Sequence, residues 1–151
     1  MAIEPGIAAP DFTLLDQDEA PVGLKALRGK WVVLYFYPTD STPGCTVEAC
    51  DFRDNFRRLS GKDAVVLGVS RDSAKSHRKF REKKDLPFSL LVDSDAEVCK
   101  LYGVWQLKKF MGREFMGIVR STFLVDPKGR VAKVWSPVTV KGHVDDVLAA
   151  F

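Results

Sequence analysis

The chain has 151 residues, 46% of them apolar and 28% charged, and a net charge of +3. That length predicts one domain, residues 1–151, with a core large enough to fold without disulfide or metal staples. With no run of 18 apolar residues, a membrane-spanning helix is excluded, and Met1–Gly6 lacks the basic region and apolar core of a signal peptide.

The predicted elements alternate. Asp11–Leu15 reads as a short strand, Val22 opens a candidate partner, and Leu24–Arg28 is one helical turn. Trp31–Phe36 is a nearly continuous apolar run, the mark of a central strand covered on both faces. From Cys45 to Ser60 a single helix is expected, because Cys45, Ala49, Phe52, Phe56 and Leu59 fall on one face. Ala64–Ser70 is a second buried strand. Ser73–Lys84 is a basic helix carrying Lys75, Arg78, Lys79, Arg81, Lys83 and Lys84. Its positive face reads as solvated rather than as a nucleic-acid patch, since no aromatic residues interleave to stack bases. Phe88–Val92 is a third strand, and Asp95 caps a helix running to about Tyr102, with Gly103 as its stop. The stretch from Asp95 to Phe115 is expected to be an inserted helix and loop. Arg120–Val125 and Val131–Trp135 flank the hairpin signal Asp126-Pro127-Lys128-Gly129, and Gly142–Phe151 is a last amphipathic helix. Strands alternating with helices predict an α/β thioredoxin-like fold: a mixed central sheet flanked by helices, with an N-terminal extension.

The chemistry centres on sulfur. Cys45 follows Thr42-Pro43-Gly44 and stands at a helix start, beyond the carboxyl end of the first core strand. Unpaired amides and the helix dipole there favour the thiolate, the reactive form. An unperturbed cysteine is only about 3% thiolate at pH 7, so a nearby cation would help. Arg120, opening a late strand that can lie beside the first, is the candidate. Pro38 and Pro43 stiffen the loop, Gly44 lets the backbone approach a small ligand, and Thr42 offers a rotatable hydroxyl. Cys50 lies about 140° around the helix from Cys45, among Val47, Asp54 and Arg57. Taken alone it is either an inert thiol or a trap for oxidised Cys45. Cys99 reads as a buried small hydrophobe. His77 and His143 are expected at the surface. Zinc spacing, a phosphate loop and Cys-x-x-Cys are all absent. An odd cysteine count in a domain that needs none for stability suits a reducing compartment, hence the cytoplasm.

Pro38-x-x-x-Thr42-x-x-Cys45 resembles the peroxidatic motif of peroxiredoxins, and Tyr37 to Cys50 is similar to the bacterioferritin-comigratory, or peroxiredoxin Q, subfamily. The likeness extends through Pro10–Leu14, Gly68–Ser70, Leu101–Trp105 and Gly117–Asp126. The resemblance implies that Cys45 is the peroxidatic thiolate and that Thr42 orients peroxide and sulfur. By the same resemblance Arg120 stabilises both, Pro38 shields the sulfur, and Cys50 resolves the oxidised Cys45 as an intramolecular disulfide. It further implies hydrogen peroxide and organic hydroperoxides as substrates, thioredoxin or a similar dithiol as reductant, a monomer, and no metal, organic cofactor, nucleic acid or membrane. A thioredoxin-like protein disulfide oxidoreductase is the alternative enzyme, and a non-enzymatic binding module on the same scaffold is the alternative class.

Overall fold

The structure, a computed structural model, describes residues 3–151; Met1 and Ala2, which begin the N-terminal stretch read above, lie outside the described residues. The elements run β1 (Thr13–Leu15), β2 (Pro21–Gly23), a short 3₁₀ turn (Lys25–Leu27), β3 (Trp31–Phe36), α1 (Pro43–Asp54), α2 (Phe56–Ser60), β4 (Ala64–Ser70), α3 (Ala74–Lys83), β5 (Ser89–Val92) and α4 (Glu97–Leu101). They continue with β6 (Trp105–Phe110), β7 (Arg113–Ile118), β8 (Ser121–Val125), β9 (Val131–Trp135) and α5 (His143–Ala149).

Seven strands form one sheet in the order β2-β1-β5-β4-β3-β8-β9. β3, β4 and β5 are parallel, while β8 runs antiparallel beside β3, pairing Phe36 with Ser121. Side chains alternate across a strand, so β3 feeds two apolar cores. Val32, Leu34 and Phe36 enter one with Tyr102 of the segment after α4; Val33 and Tyr35, continued by Tyr37, enter the other with Phe52 of α1 and Phe80 of α3. Gly68 on β4 lies against the Tyr35 ring, and a Cβ there would stand 2.9 Å from its hydroxyl and from Leu90, so this close packing requires glycine. Among the described residues no helix is long and apolar enough to cross a membrane.

Four expectations need correction. The helix over 45–60 is two helices, because Asn55 turns its amide side chain back onto the Asp51 carbonyl at 2.9 Å and leaves helical geometry (φ −107°, ψ 11°). The stretch after α4 is a two-stranded hairpin, β6–β7, rather than a loop. Its turn residues Met111 and Gly112 both have positive φ (51° and 78°), the backbone of a tight hairpin. Asp93, not Asp95, meets the free amides at the start of α4, accepting from Val98 and Cys99. Finally, His77 and His143 are buried, not exposed. His77 faces β5, and His143 packs edge-on against Phe52 and Trp135 while sharing a 2.8 Å hydrogen bond with Thr122. Burial holds the His143 pKa down at about 4.

Candidate active site

The loop from β3 delivers Thr42 to the start of α1 in extended conformation (φ −80°, ψ 155°), and Pro43 opens the helix. Proline suits this position, since the first-turn amide it lacks would have no helical partner. The Thr42 carbonyl accepts from Thr46 at 2.8 Å, the first bond of the helix. Cys45 therefore sits in the first turn, where amides lack helical partners. Its side chain is buried, with 1% exposure, on the face shared with Ala49 and Phe52.

Arg120 reaches this sulfur from the opposite side. It precedes β8 by one residue, and because β8 pairs with β3 its guanidinium lies over the carboxyl end of β3. Nη2 donates to Cys45 Sγ at 3.3 Å and Nη1 to Glu48 Oε1 at 2.7 Å. Gly44 makes room for it: a Cβ at that position would stand 3.2 Å from Nη2. Burial alone would lower the Arg120 pKa, but the Glu48 carboxylate and the Cys45 sulfur outweigh it and hold the group above its ordinary value.

Glu48 was not picked out from the sequence, although its i+3 spacing from Cys45 marks the same helix face. Its side chain is fully buried, and Oε2 has no hydrogen-bond partner. Burial pushes its carboxyl up to about 7, with Arg120 opposing and Asp51 adding a little. The folded state thus keeps a proton that the unfolded chain releases near pH 4.5, so stability falls as pH rises toward 7. Glu48→Gln is expected to remove this loss, which is at most about 3 kcal/mol. Urea midpoints at pH 5 and pH 8 should diverge in wild type and converge in the variant. An unchanged pH slope in Glu48→Gln would contradict the assignment.

Lys108 is the second group sequence reasoning missed. It projects from the hairpin, and its Nζ donates to the Ile118 carbonyl at 2.6 Å, two residues before Arg120. Burial lowers its pKa, the Arg120 charge lowers it further, and Cys45 acts the other way. Pro38 and Thr39 form one wall of a groove whose other wall includes Lys108, Phe115 and Met116. Thr42 is half-buried and donates its hydroxyl to the Thr39 carbonyl at 3.2 Å, within the loop rather than to Cys45.

Cys50 also lies in α1, half-buried, and all three cysteines are free thiols. On an ideal helix two such residues have Cα atoms about 8.6 Å apart. Cys99 is fully buried, and burial followed by the neighbouring Asp93 pushes its thiol pKa far up.

A buried thiol at a helix start, bridged by arginine on a thioredoxin-like sheet, defines a site for sulfur-based redox chemistry. The AhpC/TSA family matches residues 5–134. Over 98% of its length the chain is 52% identical to peroxiredoxin Bcp of Bacillus subtilis, covering 94% of that protein. It is 43% identical to peroxiredoxin Bcp of Escherichia coli over 97% of its length and 94% of the relative. Among solved structures, the bacterioferritin comigratory protein of Xanthomonas campestris, described for its alkyl peroxide reduction activity, superposes with a TM-score of 0.91 at 41% identity, covering 97% of this chain and 96% of that one. The chain belongs to the AhpC/TSA family, in its bacterioferritin-comigratory (peroxiredoxin Q) branch, the thiol-dependent peroxidases.

Proposed function

We propose that this peroxidase reduces hydrogen peroxide and organic hydroperoxides through Cys45, resolves the product with Cys50, and is recycled by thioredoxin or a similar dithiol. The observation that carries this reading is the Arg120 guanidinium, held between Cys45 and Glu48 at the start of α1. The Cys45 thiolate attacks the terminal oxygen of the hydroperoxide and the O–O bond breaks. The departing oxygen takes up a proton and leaves as water or alcohol, and Cys45 becomes a sulfenic acid. Negative charge moves from sulfur to oxygen during attack, and Arg120 and the Cys45 amide stand where it develops. Thr42 and Pro38 shape the loop against the sulfur. Cys50 then attacks the sulfenic sulfur, water leaves, and a disulfide forms. Two thiols of the external reductant restore both cysteines by exchange. No metal or organic cofactor takes part. The same reading makes the protein a cytoplasmic monomer.

Resolution requires α1 to open. A disulfide needs Cα atoms within roughly 7 Å, and residues five apart on a helix exceed that and point about 140° apart. The first turns must unwind once Cys45 is oxidised, drawing Ala49 and Phe52 partly out of their core. The expected cost is a few kcal/mol, typical of local opening.

Cys50→Ser separates attack from resolution. The variant should consume one equivalent of peroxide per chain and then stop, with sulfenic or sulfinic acid at Cys45. Sustained thioredoxin-coupled turnover would move the resolving role elsewhere, whereas Cys99→Ser is expected to turn over like wild type.

A further inference from the structure

The most deeply buried ionisable pair apart from the sulfur site is Asp40 with His77, their side chains 2% and 0% exposed. His77 Nε2 lies 2.8 Å from the Leu91 carbonyl, which can only accept, so Nε2 carries a proton. Nδ1 faces Asp40 Oδ2 at 2.8 Å. The Tyr37 hydroxyl donates to Asp40 Oδ1 at 2.6 Å, and Ser76 to Oδ2 at 2.8 Å. Asp72 holds the same loop from the end of β4, accepting from the Asp40 amide at 2.8 Å and from the Thr39 hydroxyl at 3.0 Å. Potential ligand atoms of Asp40, Asp72 and His77 come within 4.8 Å of one another, but each residue is already tied by these hydrogen bonds. The cluster is a clamp rather than a metal cage.

What it clamps is the loop of Pro38 and Thr42. Ser41, between Asp40 and Thr42, has a φ of 63°, in the left-handed region that a non-glycine residue keeps only when its surroundings hold it there. The side chains that hold Thr39 and Asp40 are Tyr37 just after β3, Asp72 between β4 and α3, and Ser76 and His77 of α3, with His77 tied in turn to β5; the loop's bond to α1 is the one from the Thr46 amide to the Thr42 carbonyl, at its very end. We infer that Asp40 and His77, backed by Asp72, are positioning residues that fix the Pro38–Thr42 loop for peroxide attack and confine the opening of α1 to residues after Thr42. This inference rests on the peroxidase mechanism proposed above. Without the clamp Ser41 relaxes, and Thr42 and Pro38 drift from the sulfur. Misplacement on the order of 1 Å can slow a reaction by about 10²-fold.

The test compares two reactions of one sulfur in the full-length protein. Asp40→Ala should slow the reaction of Cys45 with hydrogen peroxide by about tenfold or more. The pH midpoint of Cys45 alkylation by iodoacetamide should stay at the wild-type value, because Arg120 and the start of α1 are untouched. Asp40→Asn should recover to within about threefold of wild type, since its amide oxygen can accept from Tyr37 and its NH₂ can donate to His77 Nδ1. If Asp40→Ala fails to fold, Asp72→Ala decides, because Asp72 is only half-buried: slower peroxide reaction with unchanged alkylation supports the clamp. Wild-type peroxide rates in the folded variants, or parallel changes in both reactions, would overturn it. A wild-type protein whose Cys45 ignores peroxide would instead defeat the peroxidase mechanism itself.

Discussion

Cys45→Ser is expected to lower peroxide reduction by a factor on the order of 10⁴ or more, because the nucleophile itself is removed. Serine's alcohol is not ionised near neutral pH and is a poor nucleophile for peroxide oxygen. The substitution is nearly isosteric, and Arg120 Nη2, which now donates to the sulfur, can donate to the new hydroxyl. Stability should therefore change by no more than about 1 kcal/mol. Thioredoxin-coupled peroxide consumption, with circular dichroism to establish folding, checks both halves. Appreciable turnover by a folded Cys45→Ser protein would remove Cys45 from the mechanism.

Arg120→Met carries the second large effect, and here rate and stability separate. Loss of the guanidinium removes charge stabilisation from sulfur and transferring oxygen, for which a loss of about 10²-fold or more is expected. It also strips the fully buried Glu48 carboxyl of its only hydrogen-bond partner among the described residues. Breaking a buried pair from one side costs about 3–5 kcal/mol, less where the remaining group can take up a proton, as a carboxyl already raised to about 7 readily does. Adding Glu48→Gln to Arg120→Met should therefore recover stability without recovering rate. Arg120→Lys should rescue only in part, since one ammonium cannot span both Sγ and Oε1 as the planar fork does. The pH profile of Cys45 alkylation should move upward in Arg120→Met. A profile identical to wild type would contradict the role given to this cation.

Much of this site was legible because it follows from local rules. A turn of Thr42, Pro43 and Gly44 before Cys45 announces a helix start, and the apolar run Trp31–Phe36 announces the central strand that places it. Arg120 was legible as a residue opening a late strand, and β8 does lie beside β3, although antiparallel. The remainder depends on contacts that spacing does not show. His77 meets Asp40 across 37 residues, and a basic, polar helix conceals that one of its histidines faces a strand. The β6–β7 hairpin escaped because it pairs only with itself. Leu107, Phe110, Phe115 and Met116 remain exposed, so the alternation of a half-buried strand never develops. Lys108 was hidden with it. The break at Asn55 was invisible because the apolar stripe of Cys45, Ala49 and Phe52 before it continues through Phe56 and Leu59 after it.

The central claim is that peroxide oxidises Cys45 and that Cys50, five residues along the same helix, captures it. Its most direct test is peptide mapping by mass spectrometry, without reduction, after one equivalent of hydrogen peroxide is added to the reduced protein. A Cys45–Cys50 disulfide is expected, with Cys99 still a free thiol and faster amide exchange across residues 44–51 than in the reduced form. A Cys45 sulfinic acid with Cys50 free, or a disulfide to Cys99, would contradict it.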